Sequence, residues 1–501
     1  MSRRKGADPP KARSGRSKRA RRSASPLPPE RVSIEVLLSP SPDGTSPFET
    51  PEQIRHFNVG RFRAAAAQCD RAAELLAARG FRIIALSPYS ISAEATPALF
   101  TRTFGTELTL LRRKRVQTAR PMRTVSYFAP VPGAAWECPS DLLGIVERAY
   151  IQPPAIYFQS PLPPRVGYYH LTVPVDVAML SGASAAHRQG ITGKGDKVDM
   201  IDSGLYIHPF YSQRGYRVTV TLAPDARQAR RDDNGHGTAE AANVFAVAPD
   251  VSLVMVKQGR NATAALKKAI ELDPDIITCS WGFDLVDESS AGRRHLPGVP
   301  NTLRALELEV ARAVASGITV VFSAGNGHVS FPGMHPDVIS AGGVFVDKDM
   351  SLRASDYASA FEARPYLGRH VPDVCGLVGM QPHAIYIMLP LQPGCEIDTE
   401  LASGGDFPEG DETGTADGWS VISGTSAAAP QLAGVCALLL QKNPKLTPQQ
   451  IKEALRASAR DCDRGAANPA SNEGVALKAS AGIDGATGHG LVDAGAALKI
   501  V

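Results

Sequence analysis

The sequence predicts an α/β protein of three layers, with a mostly parallel sheet between two layers of helices, preceded by a small α+β unit. Three observations carry this. Strand-like runs at 197–202, 251–257, 276–280 and 318–323 alternate with helical runs at 262–271 and 301–316, the pattern of a parallel sheet covered on both faces. The turn 423–430 joins the end of a strand, Val421-Ile422, to an apolar helix at 431–441. Residues 31–151 show short strands packed among Ala-rich helical stretches in a different order.

At 501 residues the chain has room for two folded units plus tails. Its net charge of +4 is unevenly spread, because residues 1–25 hold ten Lys and Arg against Asp8. Residues 1–30 are therefore expected to be a disordered basic arm, too poor in apolar side chains to offset the entropy of ordering. Its charges have no aromatic residues between them, so the arm reads as a solubilising tail and nucleic acid is not expected as a partner. No stretch reaches the roughly 18 apolar residues of a membrane span, and no apolar core of a secretory signal follows the basic N-terminus. Seven cysteines, an odd number with no CxxC pair, point to free thiols and a cytoplasmic location.

In chain order, 32–36 alternates like a half-buried strand, 59–79 has helical spacing, and 81–86 is a strand after the Gly80 stop. A short helix is expected at 96–104, a strand at 107–111 and a helix at 141–150. These complete an α+β unit over 31–151. Residues 152–174 form a Pro-rich linker, and 175–501 the larger α/β unit, beginning with a helix at 175–189. The Gly-, Asp- and Glu-rich segment 396–418 reads as a long surface loop. A helix with Pro at its first position follows Thr447, and a last short helix closes the chain.

Three residues stand at element ends beside glycines, in the order Asp202, His236, Ser426. Ser426 opens a helix, where unpaired N–H groups and the dipole stabilise negative charge. A serine hydroxyl needs a base to take its proton, and the base needs an acid to orient it. The motifs are Val198-Asp199-Met200-Ile201-Asp202-Ser203-Gly204, Asn234-Gly235-His236-Gly237-Thr238 and Ser423-Gly424-Thr425-Ser426-Ala427-Ala428-Ala429-Pro430. With Ser323-Ala324-Gly325-Asn326-Gly327, they make residues 175–500 resemble the subtilisin-like serine peptidases, the subtilases. The resemblance implies a subtilisin-like three-layer fold and endopeptidase activity. It makes Asp202, His236 and Ser426 the catalytic triad, Asn326 the oxyanion-hole residue, and Ser280-Trp281-Gly282 an edge of the cleft that binds a protein or peptide substrate. No redox or organic cofactor is implied.

The N-terminal unit is similar, on 100–108, 131–132 and 139–151, to the propeptides of subtilases and of sedolisins. That implies a ferredoxin-like domain able to act as the enzyme's own inhibitor, with cleavage between 111 and 164; the basic run 112–115 is one exposed point. The catalytic part itself is not sedolisin-like, since its base is His236 and not a glutamate. The alternative to an enzyme is a noncatalytic peptide-binding scaffold on the same fold. Asp398, Asp406, Glu409, Asp411, Glu412 and Asp417 offer oxygens that could ligate calcium, but they lack EF-hand spacing and are read as a solvated acidic loop. His208 is expected to be structural, His187, His295, His328 and His489 to be surface or packing residues, and Cys279 and Trp419 to be buried packing.

Overall fold

Short β-branched runs without polar interruption suit strands buried on both faces, and the chain uses them that way. The computed structural model describes residues 30–501 apart from 51–52, 115–123, 155, 158–165, 168, 288–292 and 405–408. The expected basic arm, much of the linker, Arg115 and Asp406 thus lie outside the described residues.

The smaller unit is built from β1 (Val32–Leu38), α1 (Ala66–Ala78), β2 (Arg82–Leu86), β3 (Ser90–Ala95), α2 (Pro97–Phe104) and β4 (Val146–Ile151). Its sheet runs β2-β3-β1-β4 with every pair antiparallel, the βαββαβ order of a ferredoxin-like sandwich. A hairpin of Leu108–Lys114 and Thr124–Pro130 is inserted between α2 and β4. Ile34, Val36, Ile91 and Ala93 pack against Leu76, Phe100 and Phe104 of the helices.

The larger unit is organised on β6 (Lys197–Asp202), β7 (Arg217–Leu222), β8 (Ser252–Lys257), β9 (Ile276–Cys279), β11 (Thr319–Ser323), β12 (Ile339–Val346), β13 (Leu352–Ala354) and β14 (Val374–Leu377). The order is β7-β8-β6-β9-β11-β12-β13, with β14 also on β12; all pairs are parallel except β12–β13. Between the two units lies β5 (Ile156–Tyr157), and β9 runs on into β10 (Trp281–Asp284). The helices used below are α3 (His236–Val247), α4 (Ala262–Glu271), α5 (Arg304–Ala315), α6 (Glu396–Ala402) and α7 (Thr425–Lys442). Two large apolar clusters form the core of this unit; α3 and α7 lie in one, α4 and α5 in the other.

Several expected elements differ. The 141–150 helix is instead a turn over 141–145 followed by strand β4, and the reason for the helix-like spacing is a bulge. Leu37 pairs with Arg148 and Leu38 with Val146, so Glu147 is an extra residue that puts Val146 and Ala149 on one face and imitates helical spacing. The 59–79 helix is a 3₁₀ turn, Val59–Phe62, followed by α1. The 175–189 helix breaks at Gly182, φ +75°, into Val175–Leu180 and Ala183–His187. Strands β3 and Thr124–Pro130 were not anticipated. The 396–418 segment is no simple solvated loop: it contains α6, and Asp398 and Asp411 are fully buried. Their carboxylates accept backbone N–H groups, Gly394 at 2.7 Å for Asp398, and Thr413 and Val421 for Asp411.

β1 is buried along its whole length, although its alternation predicted one wet face. Ser33, Glu35 and Leu37 face α4 and α5 instead of water. Leu37, Tyr89 and Phe62 pack on Ala305, Leu308 and Ala311 of α5. Beside them Lys267 of α4, fully buried, reaches Glu35 at 3.2 Å and the hydroxyls of Ser90 and Ser92 at 2.6 and 3.0 Å. Asn261 donates to the other Glu35 oxygen at 2.8 Å. Removing one member of such a pair strands a buried charge, which typically costs about 3–5 kcal/mol. Lys267→Ala is therefore expected to lower thermal stability and expose the 31–151 unit to limited proteolysis, while Lys268→Ala on the exposed side of α4 does neither.

A second contact is pH-sensitive. His335, fully buried, donates from Nε2 to the Ile54 carbonyl at 2.9 Å and accepts the Asp337 N–H at Nδ1. That leaves no place for a second proton, and burial depresses the imidazole to about 4. The unfolded state binds the proton first, so this contribution is whole above the unfolded value near 6.5 and is lost as pH falls from there toward 4. Denaturation midpoints should fall through that window, and His335→Gln should flatten the slope.

Candidate active site

Asp202 ends β6 at the carboxyl edge of the sheet, where parallel sheets place their crevices, and His236 begins α3. His236 Nδ1 lies 2.8 Å from Asp202 Oδ1, which also accepts the Ser203 N–H at 2.6 Å. Both side chains are buried. The helix start approaches the strand this closely because residue 237 is glycine: a Cβ there would stand 2.2 Å from the Gly204 carbonyl oxygen and 3.1 Å from Asp202 Cβ. Burial works against a charged imidazole, but Asp202 first, then the Glu240 and Asp232 carboxylates, outweigh it and hold His236 above an ordinary histidine.

Asp232 was not singled out in the sequence. Its Oδ1 accepts Ser203 Oγ at 2.8 Å and Gly235 N–H at 3.0 Å; its Oδ2 accepts the Thr238 N–H and hydroxyl at 2.8 and 2.7 Å. Ser203 Oγ in turn accepts the Gly237 N–H at 2.8 Å. This box clamps the start of α3 to the end of β6, and so sets where His236 stands. The signal available was an acid a few residues ahead of a helix start.

Ser426 is the second residue of α7 and is buried. Pro430, one turn on, has no N–H to give the Ser426 carbonyl, and Ser280 Oγ donates to that oxygen at 2.8 Å instead. Ser426 Oγ itself lies 3.4 Å from the Ser280 carbonyl oxygen. Ser280 thus ties α7 to the β9–β10 strand, a role its expected place at a cleft edge did not suggest. α7 crosses α3 closely through Gly434, where a Cβ would meet Val247 at 2.7 Å. The two helices that carry His236 and Ser426 are held side by side.

Asn326 follows β11. Its Oδ1 accepts the Thr425 N–H at 3.0 Å and the Thr425 hydroxyl at 3.1 Å, which orients the amide. Among the described residues its buried Nδ2 has no hydrogen-bond partner. A Cβ on Gly424 would come within 3.0 Å of that nitrogen, and Gly424 has φ +126°.

Of the expected cleft edge, Ser280 and Gly282 present backbone, while the Trp281 side chain turns into the core. Its indole packs on Phe283 and Phe322 and donates to the Ile201 carbonyl at 2.9 Å. The backbone edge is occupied: Trp281 pairs with Tyr157 and Gly282 with Ile156, antiparallel. His208 caps the helix Pro209–Gln213 with Nδ1 accepting from Phe210 N–H, and Trp419 packs on His208 and Phe210. Cys279 is fully buried.

The family model for Peptidase S8, described as the subtilase family, matches residues 193–490. The chain belongs to the subtilase family. Curated relatives include serine protease AprX of Bacillus subtilis, strain 168, 29% identical over 303 residues, a match covering 54% of this chain and 62% of AprX. Subtilisin E of the same strain is 28% identical over 308 residues, covering 58% of this chain and 67% of that protein. The chain thus spans about two thirds or less of the length of these relatives. Among solved structures it resembles fervidolysin of Fervidobacterium pennivorans, described as a keratinolytic enzyme related to subtilisin. The TM-score is 0.54 at 16% identity, over 94% of this chain and 61% of that one, a likeness of fold.

Within this subtilase, replacing Asp232 with Ala removes a charged acceptor from four donors, those of Gly235 and Thr238 buried and that of Ser203 part-buried, each such bond being worth about 1.5–3 kcal/mol. Asp232→Ala is expected to lower stability by about 3 kcal/mol and to weaken the downfield proton resonance of the His236–Asp202 hydrogen bond, while Asp233→Ala, on the exposed side of the same turn, leaves both unchanged.

Proposed function

We propose that this chain is a serine endopeptidase that hydrolyses peptide bonds through an acyl-enzyme on Ser426. The observation that carries this is the buried Asp202–His236 hydrogen bond at the carboxyl edge of the sheet, with Ser426 at the start of the helix packed beside α3. His236 takes the Ser426 proton as Oγ attacks the carbonyl carbon, and gives it to the leaving amine as the C–N bond breaks. Asp202 fixes the tautomer with Nδ1–H and balances the imidazolium. Oxyanion donors are the Asn326 amide nitrogen and the Ser426 N–H at the helix start; one such donor is typically worth about 2.7–4 kcal/mol in the transition state. Water then releases the acyl group by the same proton path. No step needs a metal or organic cofactor. The seven unpaired thiols support a reducing compartment.

The N-terminal unit keeps this enzyme latent in our reading. What supports it is the pairing of β5 with Trp281-Gly282, the strand edge an extended substrate would use. The docked face of β1 on α4 and α5 supplies the anchoring area.

The test is intact mass and fluorophosphonate labelling of the full chain beside Ser426→Ala. Wild type is expected to cut itself within a few residues of Tyr157 and to take the label on Ser426, and Ser426→Ala to remain whole and unlabelled. Labelling without any cut would make the N-terminal unit a permanent regulator; neither label nor cut, even after removal of residues 1–164, would overturn the peptidase reading in favour of a peptide-binding scaffold.

A further inference from the structure

α3 carries a second ionisable residue one turn beyond His236. Glu240 is 1% exposed, and its Oε1 lies 3.9 Å from His236 Nε2, the ring edge opposite the one Asp202 holds. That separation is an ion-pair distance, longer than a hydrogen bond. The other oxygen accepts from Asn243 Nδ2 at 3.0 Å; Asn243 Oδ1 accepts from Gln431 Nε2 of α7 at 3.1 Å; Gln431 Oε1 accepts the Leu377 N–H of β14 at 2.7 Å. Three elements thus hold the carboxyl in place. Its neighbours on α3, Ala239, Ala241, Ala242 and Val244, are all buried and apolar. An apolar side chain would fill this helix contact without the desolvation that a carboxyl suffers there; burial first, and then the Asp202 charge, push the Glu240 carboxyl up.

Nε2 is the atom that must receive the Ser426 proton. We propose that Glu240 is a positioning residue of the catalytic centre, a second carboxyl that faces the Nε2 edge of His236 and competes with Ser426 for it. The assignment rests on the peptidase reading, which makes Nε2 the base. The ionised Glu240 carboxylate, 3.9 Å away, favours a proton on Nε2, and that proton keeps His236 from acting as base. It has to leave to water before Nε2 can take the proton of Ser426, so activity sets in at a higher pH than Asp202 alone would dictate. The other groups facing the pair act in the same sense or are neutral. Asp202 of β6 and Asp232 ahead of α3 both favour the imidazolium. Tyr211, from the helix Pro209–Gln213, donates its hydroxyl to the Thr238 carbonyl, and burial keeps it protonated, as it does Cys279 of β9. Ser426 and Gln431 of α7 carry no charge.

The experiment is a carbon-13 NMR titration of His236, assigned by its loss in His236→Ala, in the full chain and in Glu240→Gln and Glu240→Leu, with the fluorophosphonate labelling rate followed over the same pH range. Gln keeps the shape and the Asn243 contact, and Leu keeps the volume without a buried polar group, so one of the two should fold with near wild-type stability. The His236 midpoint is expected to fall by about 1 unit or more, the size of a close-charge effect, in either variant, and the acid limb of the labelling rate to move with it. A midpoint that stays put in a folded variant overturns the proposal, even if stability drops, because that is what a packing role alone would give. Labelling of wild type with an unmoved midpoint fails this assignment alone; a moved midpoint with no labelling of wild type fails the peptidase reading and reduces Glu240 to an ion-pair partner.

Discussion

The hydrogen bond between Asp202 and His236 is the constraint on which the rest of the larger unit depends. It needs the positive end of a helix pressed against the carboxyl end of a parallel strand, with two charged-capable groups taken out of water together. Neither group could be buried alone without loss, since an uncompensated carboxylate or imidazolium in the interior is expensive. The close approach is steric before it is electrostatic, for it passes through Gly237 and the Gly204 carbonyl. Asp232 then fixes the angle by gathering the donors at the start of α3. A site built in this way is preorganised, because its groups are oriented by backbone and not by mobile side chains.

The same logic places Ser426. A proline four residues beyond Ser426 leaves the Ser426 carbonyl without its usual donor, and Ser280 fills the gap from the neighbouring strand. The helix that carries Ser426 is therefore tied to the strand that runs from β9 into β10. Asn326 is oriented by Thr425, the residue before Ser426, so the loop after β11 is bound to the start of α7.

The N-terminal unit is attached by chemistry of a different kind. A strand that looks half-solvated meets helices α4 and α5, and its outward residues supply one buried ion pair and one apolar patch. The ion pair is fully hydrogen-bonded through Ser90, Ser92 and Asn261, which makes the register of docking specific more than it makes the contact strong. Beyond this anchor a short extended segment, Ile156–Tyr157, pairs with Trp281 and Gly282 of β10.

Much of this was legible in the sequence. The order of Asp202, His236 and Ser426, each beside glycine at an element end, is local information, because helix starts and tight turns need particular residues. The alternating strands and helices of the larger unit are local too. What local spacing misread were the places where a partner strand or helix changed the outcome. A bulge opposite Leu38 gave β4 the spacing of a helix, and the wet face of β1 became an interface. Acidic residues 398 and 411, polar by composition, were buried because backbone N–H groups met them. Trp281 belonged to the core once β10 left the sheet. The sequence by itself determined the order of Asp202, His236 and Ser426 and of the elements that carry them. The tertiary structure alone decided which carboxyl faces which edge of His236, and what lies on the cleft, because those depend on contacts between residues far apart in the chain.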